Sequence, residues 1–174
     1  MKKVILIANL IAIIGCAEAQ TDRGSWLLGA SSSFGYSSTS YDAVQIENAS
    51  NFNLEVSAGF FLIENLAAGL NIGYDKTKQG FDGNTTSLFG PFVRYYVKGV
   101  FFLGTSYAAA SREEIFASAG ETKKFGFLAF EAGCPIWIVD NVAIEPSLNY
   151  GIASGDDIVN SKTFGLNVGF SVYF

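Results

Sequence analysis

Four ionisable residues fall in stretches that are otherwise apolar or small: Glu55, Arg94, Glu131 and Glu145. An unpaired ion removed from water costs several kcal/mol, so charges in such places need partners. One guanidinium fork accommodates one or two carboxylates. With three acids to one Arg, the surplus calls for water, another cation or a protonated Glu. Two kinds of chemistry suit the set. It can be a structural plug that satisfies itself, or a gate whose pairs rearrange to admit water or small ions.

Other chemistry is excluded or weak. The chain has no histidine, so Ser-His and His-Asp catalysis and His- or Cys-cluster metal sites are unavailable. Cys134 has no imidazole to activate it and reads as a small apolar wall residue. Asp156-Asp157, and Asp75 with Asp82, could hold a cation at a rim, but solvated loop acids are the simpler reading. Arg112-Glu113-Glu114 likewise reads as a solvated loop charge cluster. We therefore expect no catalytic residue, metal or cofactor.

The elements that position the four charges are written in period two. Trp26, Leu28, Ala30, Ser32, Phe34 and Tyr36 alternate with Gly and Ser. Phe52 to Leu62 alternate with Asn53, Glu55, Ser57 and Gly59. Phe164, Leu166, Val168, Phe170, Val172 and Phe174 alternate with Gly165, Asn167, Gly169, Ser171 and Tyr173. Five similar blocks lie between, giving eight strands of about ten residues, the length that crosses a bilayer at a tilt. Phe92, Phe102 and Phe127 blur the alternation in the middle blocks. Short turns fall at Ile63-Glu64-Asn65, Lys98-Gly99 and Val139-Asp140-Asn141. Longer polar segments fall at 37–51, 76–84, 111–122 and 153–162. Two phrases, "FFLIENLAAGLNIGY" and "IWIVDNVAIEPSLNY", repeat one chemical pattern and read as two copies of the short-turn rim.

Composition agrees with such an object. Hydrophobic residues make up 49% and charged residues 16%, against about 25% charged in a usual soluble domain. Residues 1–19 read as a cleaved signal peptide: "MKK", an apolar run, then "AEA" before Gln20. "IIGC" offers a competing lipoprotein reading at Cys16. Removing Lys2, Lys3 and Glu18 takes the net charge from −5 to −6, which makes nucleic acid a poor partner. Residues 20–174 would form one domain.

Which face turns inward decides the solvent. A soluble, lipocalin-like binder would put its bulky residues inside and charges outside. Here the second face is mainly Gly, Ala, Ser and Asn, as suits the interior of a narrow barrel. The bulky face then meets lipid. Aromatics near the block ends form two girdles. Trp26, Tyr95, Tyr96, Phe101, Trp137 and Phe174 would lie at one rim, and Tyr36, Tyr74, Tyr107 and Tyr150 at the other. Lipid cannot satisfy an open strand edge, so the sheet must close. The expected fold is all-β, an eight-stranded antiparallel up-and-down transmembrane β-barrel.

From Gly24 to Phe174 the chain resembles the small outer-membrane β-barrels of the OmpA transmembrane domain and OmpX type. The alternating blocks, "FGPFVRYYV" and the ending "NVGFSVYF" carry the resemblance. It implies that Asn167, Gly169, Val172 and Phe174 form the signal read by the barrel-assembly machinery. It also implies a bacterial outer-membrane location and lumenal ion pairing. The function expected is non-enzymatic: a structural or surface-interaction role (membrane integrity, adhesion or host contact) through long outer loops, by a monomer. The alternative is a narrow channel for ions or small solutes.

Overall fold

The computed structural model describes residues 21–33, 49–79, 82–114, 122–156 and 161–174. Nine strand segments follow one another: β1 (Trp26–Ser33), β2 (Ala49–Ile63), β3 (Leu66–Gln79), β4 (Asp82–Val97), β5 (Phe101–Glu114), β6 (Thr122–Gly133), β7 (Ile136–Val139), β8 (Val142–Ser154) and β9 (Ser161–Tyr173). β6 and β7 are one barrel strand interrupted at Cys134-Pro135, so the barrel has eight. The register with β8 is unchanged across the gap, from Gly133↔Ser147 to Ile136↔Ile144. Pro135 lacks an N–H, which breaks the ladder there, while Cys134 N–H still donates to Pro146 O at 3.2 Å. Each strand pairs antiparallel with its neighbours, and β1 pairs with β9 to close the ring. No helix among the described residues is long and apolar enough to cross a membrane.

Alternation sets the faces. Leu28, Val56, Ile72, Val93, Leu103, Phe130, Leu148 and Phe170 are exposed on the outside. Leu27, Phe61, Phe92, Tyr96, Phe102 and Tyr173 are buried on the inside. A continuous exposed apolar band on a closed barrel is a lipid face. It overturns the soluble, lipocalin-like alternative. Trp26, Tyr95, Phe101 and Phe174 at the short-turn end, and Tyr74, Tyr107 and Tyr150 at the other, are all exposed. Trp26 also meets Phe60 edge-on at 5.3 Å. Tyr36, residues 1–20, Asp157 and most of the first long segment lie outside the described residues.

Two aromatics depart from the expected girdle. Tyr96 is fully buried in the lumen. Trp137 lies between the exposed Ile136 and Ile138, so period two turns it inward. Its ring centroid is 4.7 Å from that of Tyr173, and its Nε1–H donates to Gly99 O at 3.3 Å. At both positions a side-chain type suited to the interface is overridden by parity.

The blurring phenylalanines have a common explanation: each lies inside, against a glycine. Phe92 pairs with Gly69, and a Cβ on Gly69 would stand 2.7 Å from its ring. Phe102 pairs with Gly133, where a Cβ would stand 2.5 Å from its ring. Phe127 covers Gly151 in the same way. A narrow barrel takes an inward aromatic where the neighbouring strand offers no side chain.

The short turns are where expected. Asn65, Lys98 and Gly99 have positive φ, and Lys98, Gly99 and Val100 make a three-residue hairpin connection in which Val100 N–H donates to Val97 O at 3.0 Å. The polar segments are shorter than expected. β3 and β4 stay paired out to Gln79↔Asp82, and β5 and β6 out to Glu113↔Thr122. Beyond the lipid, pairing still satisfies the backbone and water solvates both faces, so the ladder continues.

Candidate functional site

Backbone rows bring the charges together. Arg94 on β4 pairs with Gly104 on β5, which pairs with Glu131 on β6. The Arg94 side chain crosses β5 at Gly104, where even a Cβ would make only ordinary contact, 3.4 Å from Glu131 Oε2. Glu145 on β8 lies in a second row, Glu145↔Gly169↔Ser31↔Glu55.

Arg94 donates from Nη2 to Glu131 Oε2 at 2.7 Å and from Nη1 to Glu145 Oε2 at 2.9 Å. The Arg94, Glu131 and Glu145 side chains are 13%, 22% and 4% exposed, so Glu145 is the deeply enclosed acid. It receives the most donors. Ser171 Oγ donates to Oε2 at 2.8 Å and Tyr173 OH to Oε1 at 2.5 Å. Tyr96 OH is 3.4 Å from Oε1 and accepts from Arg94 Nη1 at 3.2 Å. The two phenol oxygens are 3.1 Å apart. Tyr173 has one proton and directs it to Glu145, which leaves its oxygen to accept from Tyr96. The guanidinium also lies 4.3 Å from the centroid of the Phe102 ring, a cation–π contact in a water-poor setting.

Glu55 stands outside this knot. It lines the same lumen and feels both Arg94 and Glu131 electrostatically, but among the described residues it joins neither ion pair. It is the surplus acid of the four.

The lumen is asymmetric. Towards the short turns, Leu27, Phe61, Tyr96, Phe102 and Tyr173 pack together with Trp137 against them. Phe61 lies 5.6 Å from Tyr96 and 6.3 Å from Tyr173, ring to ring. Above the knot a cavity of about 370 Å³ runs towards the long-connection end. Its wall includes Asn53, Glu55, Asn71, Glu131, Asn149 and Asn167. Phe125, Ala110 and Ala153 form a smaller apolar wall near its mouth.

Several residues were not legible as site members. Tyr96, Ser171 and Tyr173 complete the shell of Glu145, and parity with Arg94 and Gly169 was the available signal. Arg112 is not a solvated loop charge. It lines the cavity, with Nε 3.4 Å from Thr86 Oγ1 and its guanidinium 5.3 Å from the centroid of the Phe125 ring. Asp75 lines the cavity too and accepts from Thr77 Oγ1 at 3.3 Å. Among the described residues no group of three or more acids or cysteines has metal-binding geometry. Of the four residues expected to form a C-terminal assembly signal, Asn167 and Gly169 line the lumen, while Val172 pairs with Leu28 and Val142. Phe174 is exposed and its backbone exchanges hydrogen bonds with Trp26.

No family model matches the sequence, and no curated protein matches it. Solved structures do. The crystal structure of Neisserial surface protein A superposes with a TM-score of 0.62 at 15% identity, covering 86% of this chain and 96% of that one. The N-terminal β-barrel domain of Pseudomonas aeruginosa OprF gives 0.56 at 13% identity, covering 87% and 98%. The Yersinia pestis outer membrane protein Ail, in a phospholipid nanodisc, gives 0.53 at 16% identity, covering 87% and 100%. The fold is that of the small eight-stranded outer-membrane β-barrels. At these identities the likeness carries the architecture and leaves the activity to the residues.

Proposed function

We propose that this chain is a non-enzymatic outer-membrane barrel whose lumen is blind and whose work is done at the cell surface. The carrying observation is the aromatic floor of Phe61, Tyr96, Phe102 and Tyr173 beneath the Arg94–Glu131–Glu145 knot. Rings 5.5 to 6.3 Å apart leave no file of water through that layer. In this reading the short-turn end faces the periplasm and the long connections face outwards, where surface recognition or adhesion would reside. The chain is exported behind residues 1–19. It is folded by the barrel-assembly machinery through Asn167, Gly169, Val172 and Phe174, and stands in the membrane as a monomer.

A channel for ions or small solutes is the second reading. It is favoured by the polar cavity that already spans the outer part of the lumen. Planar-bilayer recording separates the two. The blind barrel gives no conductance steps, and steps from the wild-type protein would overturn it.

A further inference from the structure

We propose that the outward face above the outer aromatic girdle binds the phosphate-bearing head groups of the lipid leaflet around it, through Lys76, Lys124 and Lys162. This rests on the transmembrane orientation proposed above.

The net charge of −6 for residues 20–174 hides a sorting by face. The carboxylates of Glu55, Asp75, Glu131 and Glu145 all turn to the cavity. The lysines do not. Lys76 follows the outward Ile72 and Tyr74 by even steps along β3. Lys162 precedes the outward Phe164 and Leu166 on β9. Lys124 precedes the outward Phe130 by even steps on β6. Lys124 and Lys162 are exposed and Lys76 is half-buried.

Their height is also shared. Lys76 and Lys162 each lie two residues beyond a ring of the girdle region, Tyr74 and Phe164, about 6–7 Å along the strand. Lys124 lies two beyond Gly126, over which the Tyr107 phenol is laid: a Cβ on Gly126 would be 2.7 Å from its oxygen. Aromatic girdles mark the interface, and a lysine just beyond one extends its ammonium into the head-group layer. Two of the three have a hydroxyl residue directly across the ladder: Thr85 opposite Lys76 and Ser111 opposite Lys124. An ammonium beside a hydroxyl supplies donors to a phosphate oxygen. Among the described strand residues one acid shares this face, the exposed Glu113, in the row Lys76↔Thr85↔Glu113. It opposes phosphate binding, and so supplies a control of opposite sign.

A lipid head group rather than free phosphate is the committed partner, because the three lysines lie on β3, β6 and β9, spread around the barrel. Three separate positions at one height match a plane of charge, not a single ion.

The test is native mass spectrometry of the folded barrel in detergent. It is titrated with a doubly phosphorylated lipid A and, separately, with the same lipid after phosphatase treatment. Wild type should retain the phosphorylated lipid and shed the dephosphorylated one. The triple variant Lys76→Gln/Lys124→Gln/Lys162→Gln should retain roughly a hundredfold less, at about fivefold per lysine. Glu113→Gln should retain more than wild type. Gel mobility before and after heating reports whether each variant is folded, and single Lys162→Gln stands in, at about a fivefold loss, if the triple is not. Equal retention of the two lipids by wild type, or undiminished retention by a folded lysine variant, overturns the proposal. Inorganic phosphate should displace no more lipid than chloride at equal ionic strength. Displacement by phosphate alone would assign the lysines to a free anion and also overturn it. Bilayer conductance has no bearing on any of these outcomes, so the blind-lumen reading can fail independently.

Discussion

The two halves of the lumen are built from one alternating pattern and end up opposite in character. At the short-turn end the inward positions are aromatic, and they close on Glu145, which takes donors from Arg94, Ser171 and Tyr173. At the long-connection end Asn, Ser, Thr and Gly predominate among the inward positions around open volume, beside Asp75, Arg112 and Phe125, with Glu55 outside any ion pair among the described residues. The backbone is the same in both. Glycines leave room for rings in both, Gly69 for Phe92 and Gly133 for Phe102 in one and Gly151 for Phe127 in the other, and the difference is that in the filled half the rings meet one another across the lumen. A filled half should be stiff and intolerant of substitution. A hollow half should absorb substitution cheaply.

Substitutions test that contrast in descending order. Glu145→Ala strips the common acceptor from the filled half. With Glu131 as the one carboxylate left to Arg94, beside the Tyr96 hydroxyl, it should lose about 3–5 kcal/mol in urea unfolding from lipid vesicles followed by Trp fluorescence. A loss below about 1 kcal/mol, no more than an ordinary substitution costs, would erase the distinction. Gly69→Ala presses a Cβ against the Ala58 carbonyl oxygen, the Gly59 backbone and the Phe92 ring, and should cost about 1–3 kcal/mol by the same assay. Glu131→Gln keeps a hydrogen bond to Arg94 but removes its charge at a partly hydrated position. It should cost about 1 kcal/mol, and a loss equal to that of Glu145→Ala would mean the knot has no deep and shallow side. Glu55→Gln, in the hollow half, should stay within about 0.5 kcal/mol of wild type.

Much of this was legible in the sequence. Period two fixed strand number, facing and closure, and the short turns were marked at Asn65 and Gly99 by residues that tolerate positive φ. What escaped lay near strand ends, where residue type and parity disagree. Trp137 and Tyr96 have the chemistry of an interface anchor, but their neighbours fix them inward. Arg112 looked like part of a loop because the strand continues past the lipid into polar sequence, where alternation no longer separates apolar from polar. The shell of Glu145 escaped because Tyr96, Ser171 and Tyr173 come from strands distant in sequence, and only closure of β9 against β1 and β8 brings them together.

The central claim is that the lumen opens to one side only. The most direct measurement places a cysteine at Ser57, which lines the cavity, in a chain with Cys16 and Cys134 replaced by Ala. The barrel is inserted in vesicles in a fixed orientation and exposed to a membrane-impermeant maleimide on one side at a time. The account predicts labelling from the long-connection side and none from the short-turn side. Labelling from the short-turn side would show that the aromatic floor is not a barrier and would contradict it.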